Sequence, residues 1–478
     1  MSNANTKLFG VANLQFLQVF TRKHQWQCMF VIFFLALVLR LVVLDLTFLG
    51  NDKVKYYDDG RIALNIVGGR GFSIDYNYRN WLYYTKVLKS TRIDDLITVG
   101  TKPTASKQPV YPFVLATFFQ LFGAKNFLSV FLFHALISSL TSVLLFLALK
   151  TSYPLAGLVA GVGTAIYPAF IWHAVTVPES TTLSLFQLAA FFLCLETLRI
   201  QPSRWIWALA GLLGGLEALT EPVTIPFLGL CLSYVAFVPA ESRKRTIAGV
   251  LTVVVAGCLV VTPWIVRNYL VFDRFPVIKG SSGFTFNFAL EDSGRGTWIP
   301  EHRIVALERA GRNLTEMEED QAIRREIWSL FPSHLREYLI VNVPLNFLHF
   351  WWDVRRYSDD YSPGYLASRR LPYLTLLILS IPSILKLIGR FVKDPRVGSK
   401  DSIVPVAALF LLLTQSAVYT LFGAWMARYR FPAEMCLFVF AGLTSQPFIE
   451  SLWNRWMPAS RQVGDDHVSH VPALSPKV

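Results

Sequence analysis

The sequence predicts an all-α fold: a polytopic transmembrane helix bundle of about ten spans, with two long outer loops containing short interfacial helices. Three observations predict it. The 478 residues are 53% hydrophobic and only 16% charged, with a mean hydropathy of +0.42, too apolar for an ordinary soluble domain. Apolar runs recur from end to end at the roughly 20 residues needed to cross the hydrocarbon core. Lys and Arg gather in every second interval between those runs, as the positive-inside rule requires.

The first span covers about 29–49 and follows a segment, 1–28, that carries Lys7, Arg22 and Lys23 and is expected to be cytoplasmic. It begins near Cys28 and is too long for the apolar core of a cleaved signal peptide. Further spans are expected near 126–149, 155–175, 179–198, 205–220, 222–238, 246–266, 371–389, 403–424 and 434–453. If each run crosses once, one side holds Lys150; Arg199 and Arg204; and Arg243, Lys244 and Arg245. The same side then holds Lys386, Arg390, Lys393, Arg396 and Lys400, and finally Arg455 and Arg461. The pair 205–220 and 222–238 is short and interrupted by Pro222 and Pro226; a single span there would invert everything downstream. The transmembrane domain is read as 29–453, and 454–478, rich in Ser, Pro and Asp, as a disordered cytoplasmic tail.

The two outer loops cover about 50–125 and 267–370. Both interleave aromatics with polar residues: Tyr76, Tyr78, Trp81, Tyr83 and Tyr84 in the first, Trp328, Trp351 and Trp352 in the second. Such rings favour the membrane interface. Tyr111–Phe122 is too short to span and reads as a helix lying in the interface. Thr315 followed by Glu316, Glu318, Glu319 and Asp320, then Ile323, Ile327 and Leu330, reads as a capped amphipathic helix. The net charge of +13 needs no nucleic acid, because cytoplasmic loops and anionic lipid account for it. All five cysteines lie inside apolar runs, which predicts neither disulfides nor a metal knuckle. No internal repeat is evident, and no soluble catalytic domain.

Candidate chemistry opens the first outer loop, at Tyr56-Tyr57-Asp58-Asp59-Gly60-Arg61. Two acids one polar step beyond a span sit where bilayer meets water, and a carboxylate there is placed to take a proton from an acceptor hydroxyl. The competing reading is that Asp58 or Asp59 caps the helix running through Ile62 and Ile66, and Asp52 is a further candidate for either job. Gly68-Gly69-Arg70-Gly71 lacks the strand and the Lys-Ser/Thr of a phosphate loop and reads as a glycine-rich helix exit. Lys102, Lys107, Arg267, Arg428 and Arg430 are cations on the outer side, against the positive-inside pattern. They read either as anchors to lipid headgroups or as a clamp for a phosphate carried on a lipid. Within the spans Arg40, Asp45, His134, His173, Glu179, Glu196, Glu217 and Glu221 need partners, since a bare charge in lipid costs at least ~2.5 kcal/mol. Arg40 with Asp45 is one such pairing; His173 and Glu179, flanking Pro178, are placed to line a cavity.

The order of these pieces carries a family resemblance. A span is followed by acids and a Gly-x-Gly-Phe helix exit, then Gln108-Pro109-Val110-Tyr111-Pro112-Phe113 leading to Leu121-Phe122-Gly123. Much later come Pro263-Trp264-Ile265-Val266-Arg267-Asn268-Tyr269, then Gly283–Asn287, and Arg428-Tyr429-Arg430-Phe431-Pro432 before the last span. From about residue 30 to 450 the chain resembles the GT-C superfamily of integral membrane glycosyltransferases. The likeness is greatest to the bacterial branch related to protein O-mannosyltransferases and the enzyme that adds aminoarabinose to lipid A. The resemblance implies a polyprenyl-phosphate sugar donor; a protein, lipid or glycan acceptor; and inverting transfer on the extracytoplasmic side of a cell membrane. It implies Asp58 or Asp59 as the base. It further implies Arg267, Arg428 and Arg430, with Lys102 and Lys107, as cations for the leaving phosphate; Tyr111, His173 and Glu179 are expected beside them as substrate-binding residues. Two departures stand out: relatives have an acidic pair followed by a tyrosine where here Tyr56-Tyr57 precede Asp58-Asp59, and they often carry Arg before a proline where this chain has Glu221-Pro222.

The sequence names no cofactor. A divalent cation held by Asp58, Asp59 and either Glu291 or Asp292 is the one metal site it would allow. A polysaccharide polymerase or ligase shares the spans and outer arginines but would concentrate its chemistry in later outer loops. A lipid or glycan transporter would show inverted repeats and broken midplane helices.

Overall fold

The computed structural model describes residues 24–75, 100–238, 242–273, 278–280, 315–352, 363–423 and 427–456. The expected cytoplasmic segment up to residue 23, the tail beyond 456, the aromatic run Tyr76–Tyr84, Gly283–Asn287, Glu291 and Asp292 lie outside the described residues.

The described chain is almost wholly helical. In order, α1 covers Gln25–Thr47, α2 Asp58–Val67, α3 Val110–Phe122, α4 Phe127–Leu149, α5 Pro154–Ile166 and α6 Pro168–Thr176. They are followed by α7 Thr181–Ile200, α8 Arg204–Thr220, α9 Ile225–Phe237 and α10 Arg243–Phe272. After the second loop come α11 Glu316–Glu337, α12 Val343–Trp352, α13 Pro363–Lys393, α14 Val397–Lys400, α15 Val404–Phe422 and α16 Phe431–Trp456. The sole described sheet is a two-stranded antiparallel ribbon, β1 Ser73–Asp75 with β2 Thr101–Pro103.

Each of the ten apolar runs is helical. Among the described residues seven helices are long and apolar enough to cross a membrane, and α5 with α6, bent by 47°, would make an eighth if the pair forms one broken span. α8 and α9 fall short of a full crossing, at 17 and 13 residues. These are the runs flanking Pro222, which together with Pro226 breaks the helix into a 3₁₀ turn between them. Among the membrane helices, α8 packs most intimately. A side chain at Gly211 or Gly215 would collide with the backbone of Val253 or Gly257 on α10, so the small-residue spacing brings the two backbones together.

Buried charge inside the bundle is satisfied by backbone set free at helix breaks. Arg40, 1% exposed, does not pair with Asp45. It donates to Ser138 Oγ at 2.8 Å and to the carbonyls of Ala36, Ala165 and Thr164. Pro168 has no N–H, so the Thr164 carbonyl lacks its helical donor and takes the guanidinium instead. The i, i+5 spacing of Arg40 and Asp45 puts them on different faces of α1.

One end of the bundle is basic. Lys150 Nζ donates to Gln25 Oε1 at 2.7 Å, and Ser152 joins Glu196 to the Asp401 carbonyl. The opposite end carries α2, α3 and the starts of α4, α7 and α16. There α3 buries Tyr111, Leu115, Ala116 and Phe119 and leaves Leu121 70% exposed, an amphipathic helix too short to span. The capping box at Thr315 forms as its sequence implies, with Glu318 Oε2 accepting from the Thr315 N–H at 2.8 Å.

Candidate active site

The chain leaving α1 is fixed first. Asn51 Oδ1 accepts from the N–H groups of Phe127 and Leu128 at 2.9 and 3.2 Å, capping α4, and Tyr56 stacks on Phe127 at 5.4 Å. α2 then begins after an extended Tyr57, with no side-chain cap. Asp58 and Asp59 therefore occupy its first turn, where the helix dipole favours negative charge, and neither does the capping job. Val67 ends the helix at Gly68, and Gly69 (φ 73°) and Gly71 (φ 66°) turn the chain into β1 through left-handed conformations that favour glycine.

Opposite these acids stands Lys107, in a short segment braced from three sides. Arg267 donates through Nη1 to the Thr104 carbonyl and through Nη2 to the Phe72 carbonyl, both at 2.9 Å. Glu316 Oε2 accepts from the Ala105 N–H at 3.0 Å, and the Gly280 N–H donates to the Ala105 carbonyl at 2.7 Å. Thr104 and Ser106 close the turn with a 2.9 Å hydroxyl contact. The result places Lys107 Nζ 3.8 Å from Asp58 Oδ2.

From the other side comes Arg428, on a 3₁₀ turn before α16. It pairs with Glu179, which follows Pro178 where α6 gives way to α7, and donates to the Tyr429 hydroxyl at 3.2 Å. Tyr429 stacks on Tyr419 of α15 at 5.0 Å. Deeper in, Glu221 accepts from Ser180 Oγ at 2.6 Å and Glu217 from Ser184 Oγ at 2.7 Å.

These groups act on one another electrically. Burial pushes the Asp59 carboxyl above the usual carboxylate range; Lys107 and Arg428 pull it back, while Asp58 and Glu179 push it further up. Burial works against the Lys107 ammonium, yet Asp59 and Asp58 hold it above its ordinary value. Tyr111, buried with its hydroxyl 3.1 Å from His134 Nε2, is held well above the usual phenol range by burial and then by Asp59 and Glu179. Glu221 feels Lys279, Arg428 and Asp59, and Tyr429 feels Arg428, Lys279 and Lys107.

Of the residues singled out from sequence, Asp58, Asp59, Lys107, Tyr111, Glu179 and Arg428 therefore converge. Arg267 and Arg430 are engaged elsewhere. Arg267 is bonded to backbone carbonyls and covered by Phe72, Trp264 and Phe272, so it holds the Lys107 segment rather than facing the cluster. Arg430, 2% exposed, pairs with Glu434 at 2.7 Å, donates to the Phe350 carbonyl and lies over Tyr373. The 3₁₀ turn explains the divergence: with three residues per turn, side chains two apart point to different sides. Lys102 lies on β2 opposite Ile74, and His173 is buried with its ring edge-on to Phe431 at 5.2 Å. His134 is a satisfied bundle residue, held by Tyr111 and the Ala174 carbonyl. Asp52 sits in an exposed 3₁₀ turn.

Glu221, Lys279 and the Tyr419–Tyr429 pair join the site without having been expected there: in the sequence Glu221 stands out as an in-span charge and as the departure from an arginine, and Tyr429 as part of the Arg428–Pro432 motif. No three His, Cys, Asp or Glu among the described residues are arranged to hold a metal ion, and Glu291 and Asp292 are not among those residues.

Residues 102–266 match the family model described as dolichyl-phosphate-mannose-protein mannosyltransferase. No curated protein sequence matches the chain. Among solved structures, the oligosaccharyltransferase of Archaeoglobus fulgidus tethered with an acceptor peptide is similar over 92% of this chain, at 13% identity and a TM-score of 0.50. A second structure of the Archaeoglobus fulgidus oligosaccharyltransferase, with zinc and sulfate, covers 89% of the chain at 13% identity and a TM-score of 0.48. The chain spans about half the length of the archaeal protein, 52% in the first case, so the likeness is one of fold. The matched segment runs from β2 through α10 and includes Lys107, Tyr111, Glu179 and Glu221. Over residues 102–266 the chain is similar to the mannosyltransferase family model, and its helix bundle is similar to the fold of the archaeal oligosaccharyltransferase.

Proposed function

We propose that the chain transfers a sugar from a polyprenyl-phosphate donor to a hydroxyl acceptor, with inversion, at the acid-bearing end of the bundle. The observation that carries this reading is the convergence of Asp58, Asp59, Lys107, Glu179 and Arg428 at the end opposite the basic rim. By the positive-inside rule that rim is cytoplasmic, which puts the acids on the extracytoplasmic side.

In the proposed step the acceptor oxygen forms a bond to the anomeric carbon as the bond from that carbon to the phosphate oxygen breaks. The acceptor proton passes to a carboxylate, and the electron pair leaves with the lipid phosphate. Asp58 is the carboxylate of the pair open to an incoming hydroxyl, with a quarter of its side chain exposed, whereas Asp59 is only 8% exposed. Buried beside it, Asp59 is raised by burial and by the neighbouring Asp58 charge. Lys107 and Arg428 are positioned to stabilise charge on the leaving phosphate, an effect strongest at a low-dielectric boundary. Donor and site meet at headgroup depth because the donor's tail is fixed in the bilayer. The acceptor is a protein, lipid or glycan hydroxyl.

The test is transfer of labelled sugar from a synthetic polyprenyl-phosphate donor by the purified protein, without an energised membrane. Asp58→Asn should lower the rate by about 100-fold or more, the scale of general-base catalysis, and Arg428→Met should lower it comparably. Full activity in Asp58→Ala and Asp59→Ala would sink the reading and favour a polymerase with its chemistry in later loops.

A further inference from the structure

The basic end of the bundle holds a cavity that the proposed transfer does not use. Its volume is about 200 Å³, and α13, α15 and α16 meet around it beside the turn at Tyr153. That is below the roughly 300–1,000 Å³ of pockets that enclose a drug-sized molecule, and it suits a headgroup. Its polar lining includes Lys386, Arg390, Asp401 and Gln446. The charge is specific. Arg390 is already paired with Asp401 at 2.5 Å, and the Glu196–Arg199 pair nearby is internally balanced, while Lys386 has no ion pair among the described residues. Lys386 therefore faces the cavity as a cation with no ion pair among the described residues, while the nearby Glu450 carboxylate is bonded to Gln446. Gln446 Oε1 is buried there with no hydrogen-bond partner, its amide nitrogen being used by Glu450 at 3.1 Å. A lone buried acceptor asks for a donor. The rim is apolar and turned outward: Leu385, next to Lys386, is 63% exposed, and Phe448, two residues past Gln446, is 66% exposed.

From this cation, one unfilled acceptor and a flank of outward-facing apolar side chains, we infer that this cavity binds an anionic membrane phospholipid. The phosphodiester sits on Lys386, a headgroup hydroxyl donates to Gln446 Oε1, and the acyl chains lie along Leu385 and Phe448. A glycerol headgroup satisfies all three features. A phosphomonoester such as a polyprenyl phosphate supplies the anion, but no hydroxylated headgroup for Gln446. This inference does not rest on the transferase reading.

The test is lipid retention by the whole detergent-solubilised protein in native mass spectrometry. The probes are phosphatidylglycerol, phosphatidylcholine, phosphatidic acid and a polyprenyl phosphate. The protein should retain one phosphatidylglycerol about tenfold more strongly than phosphatidylcholine, and Lys386→Glu should remove that preference. Lys244→Glu, on the exposed first turn of α10, should leave it intact. Gln446→Leu should weaken phosphatidylglycerol severalfold while sparing phosphatidic acid. Equal losses in Lys386→Glu and Lys244→Glu would mean general attraction to a basic rim and overturn the site, as would equal retention of phosphatidylcholine. Polyprenyl phosphate displacing phosphatidylglycerol would overturn the assigned ligand.

Discussion

Replacing Lys107 by Met removes the cation nearest the acid pair with little change in side-chain bulk, and its effect follows from the geometry. The ammonium lies 3.8 Å from Asp58 Oδ2, with both side chains about a quarter exposed. A unit-charge pair at that distance is worth about 4 kcal/mol gross at the effective dielectric of a protein boundary. Partial exposure and the remaining pull of Arg428 on Asp59 reduce the net loss to about 1.4–2.8 kcal/mol, or one to two pH units. The sign is fixed. Lys107 is the largest influence that lowers the Asp59 carboxyl, so without it Asp59 holds its proton to higher pH. Asp59 lies within the electrostatic reach of Asp58, and the acidic limb of the pH–rate profile reports the ionisation of the acid the reaction needs. In a transfer assay from a polyprenyl-phosphate sugar, the limb of kcat/KM should move upward by about one to two pH units. At a fixed pH on the limb this is a 10- to 100-fold loss that shrinks as pH rises. Lys107→Arg should restore the position of the limb. If the limb stays in place while KM for the donor rises equally at every pH, Lys107 is a phosphate ligand alone. Lys107 then does not tune the acids.

Other consequences follow from the same arrangement. Asp59→Asn should stabilise the protein at pH 7 while impairing transfer, measured as a rise in Tm in micelles. The folded carboxyl sits above its unfolded value, so its contribution is full below about pH 3.9 and is lost as pH rises through the folded pKa. The gain in Tm should therefore vanish near pH 4. Glu316→Ala strands the buried Ala105 N–H, a loss of about 1–3 kcal/mol, and loosens the segment that presents Lys107. Its kcat should fall more than its Tm predicts, and Glu316→Gln, which still accepts, should recover most of it. Gly211→Val drives a side chain into the Val253 carbonyl, 2.5 Å from the ideal Cβ, and should separate α8 from α10. Overpacking of this kind costs about 1–3 kcal/mol, read as a lower Tm, whereas Gly229→Ala on α9, where nothing lies within 4 Å, should be neutral.

Much of the bundle was legible because the bilayer leaves few options: an apolar run of about 20 residues with its backbone satisfied internally is a helix. The same logic marked Arg40 as needing partners but chose the wrong one, since the carbonyls freed at Pro168 belong to helices over a hundred residues away. The acid pair and Lys107 were legible as residue types beside a membrane boundary. The division of labour among the arginines was not. Arg267, Arg428 and Arg430 look alike in sequence, yet one braces a loop, one faces the cluster and one is buried in the core. That difference is set by a 3₁₀ turn and by the carbonyls each guanidinium meets. Glu221 was visible as an in-span charge in need of a partner and as a missing arginine, but not as a site residue. In the fold it is a fourth carboxylate on the cluster, which changes the charge balance the site offers.

That balance bears on the kind of donor. Asp58, Asp59, Glu179 and Glu221 face Lys107, Lys279 and Arg428, so the cluster carries one more acid than it has cations. Burial raises the Asp59 carboxyl, which eases uptake of a proton there and moves the set toward neutrality. A phosphodiester joining one lipid to one sugar brings a single negative charge, and it gains Arg428 by drawing it away from Glu179. A nucleoside diphosphate sugar brings a second charge into the same low-dielectric boundary, with no further cation among these residues to meet it. Desolvating that second charge is expensive unless it is paired. The balance therefore favours a monoanionic lipid-linked donor. Glu179→Gln, which leaves Arg428 to the incoming phosphate, should lower KM for such a donor; a raised KM would show that the Glu179–Arg428 pair positions the guanidinium rather than competing for it.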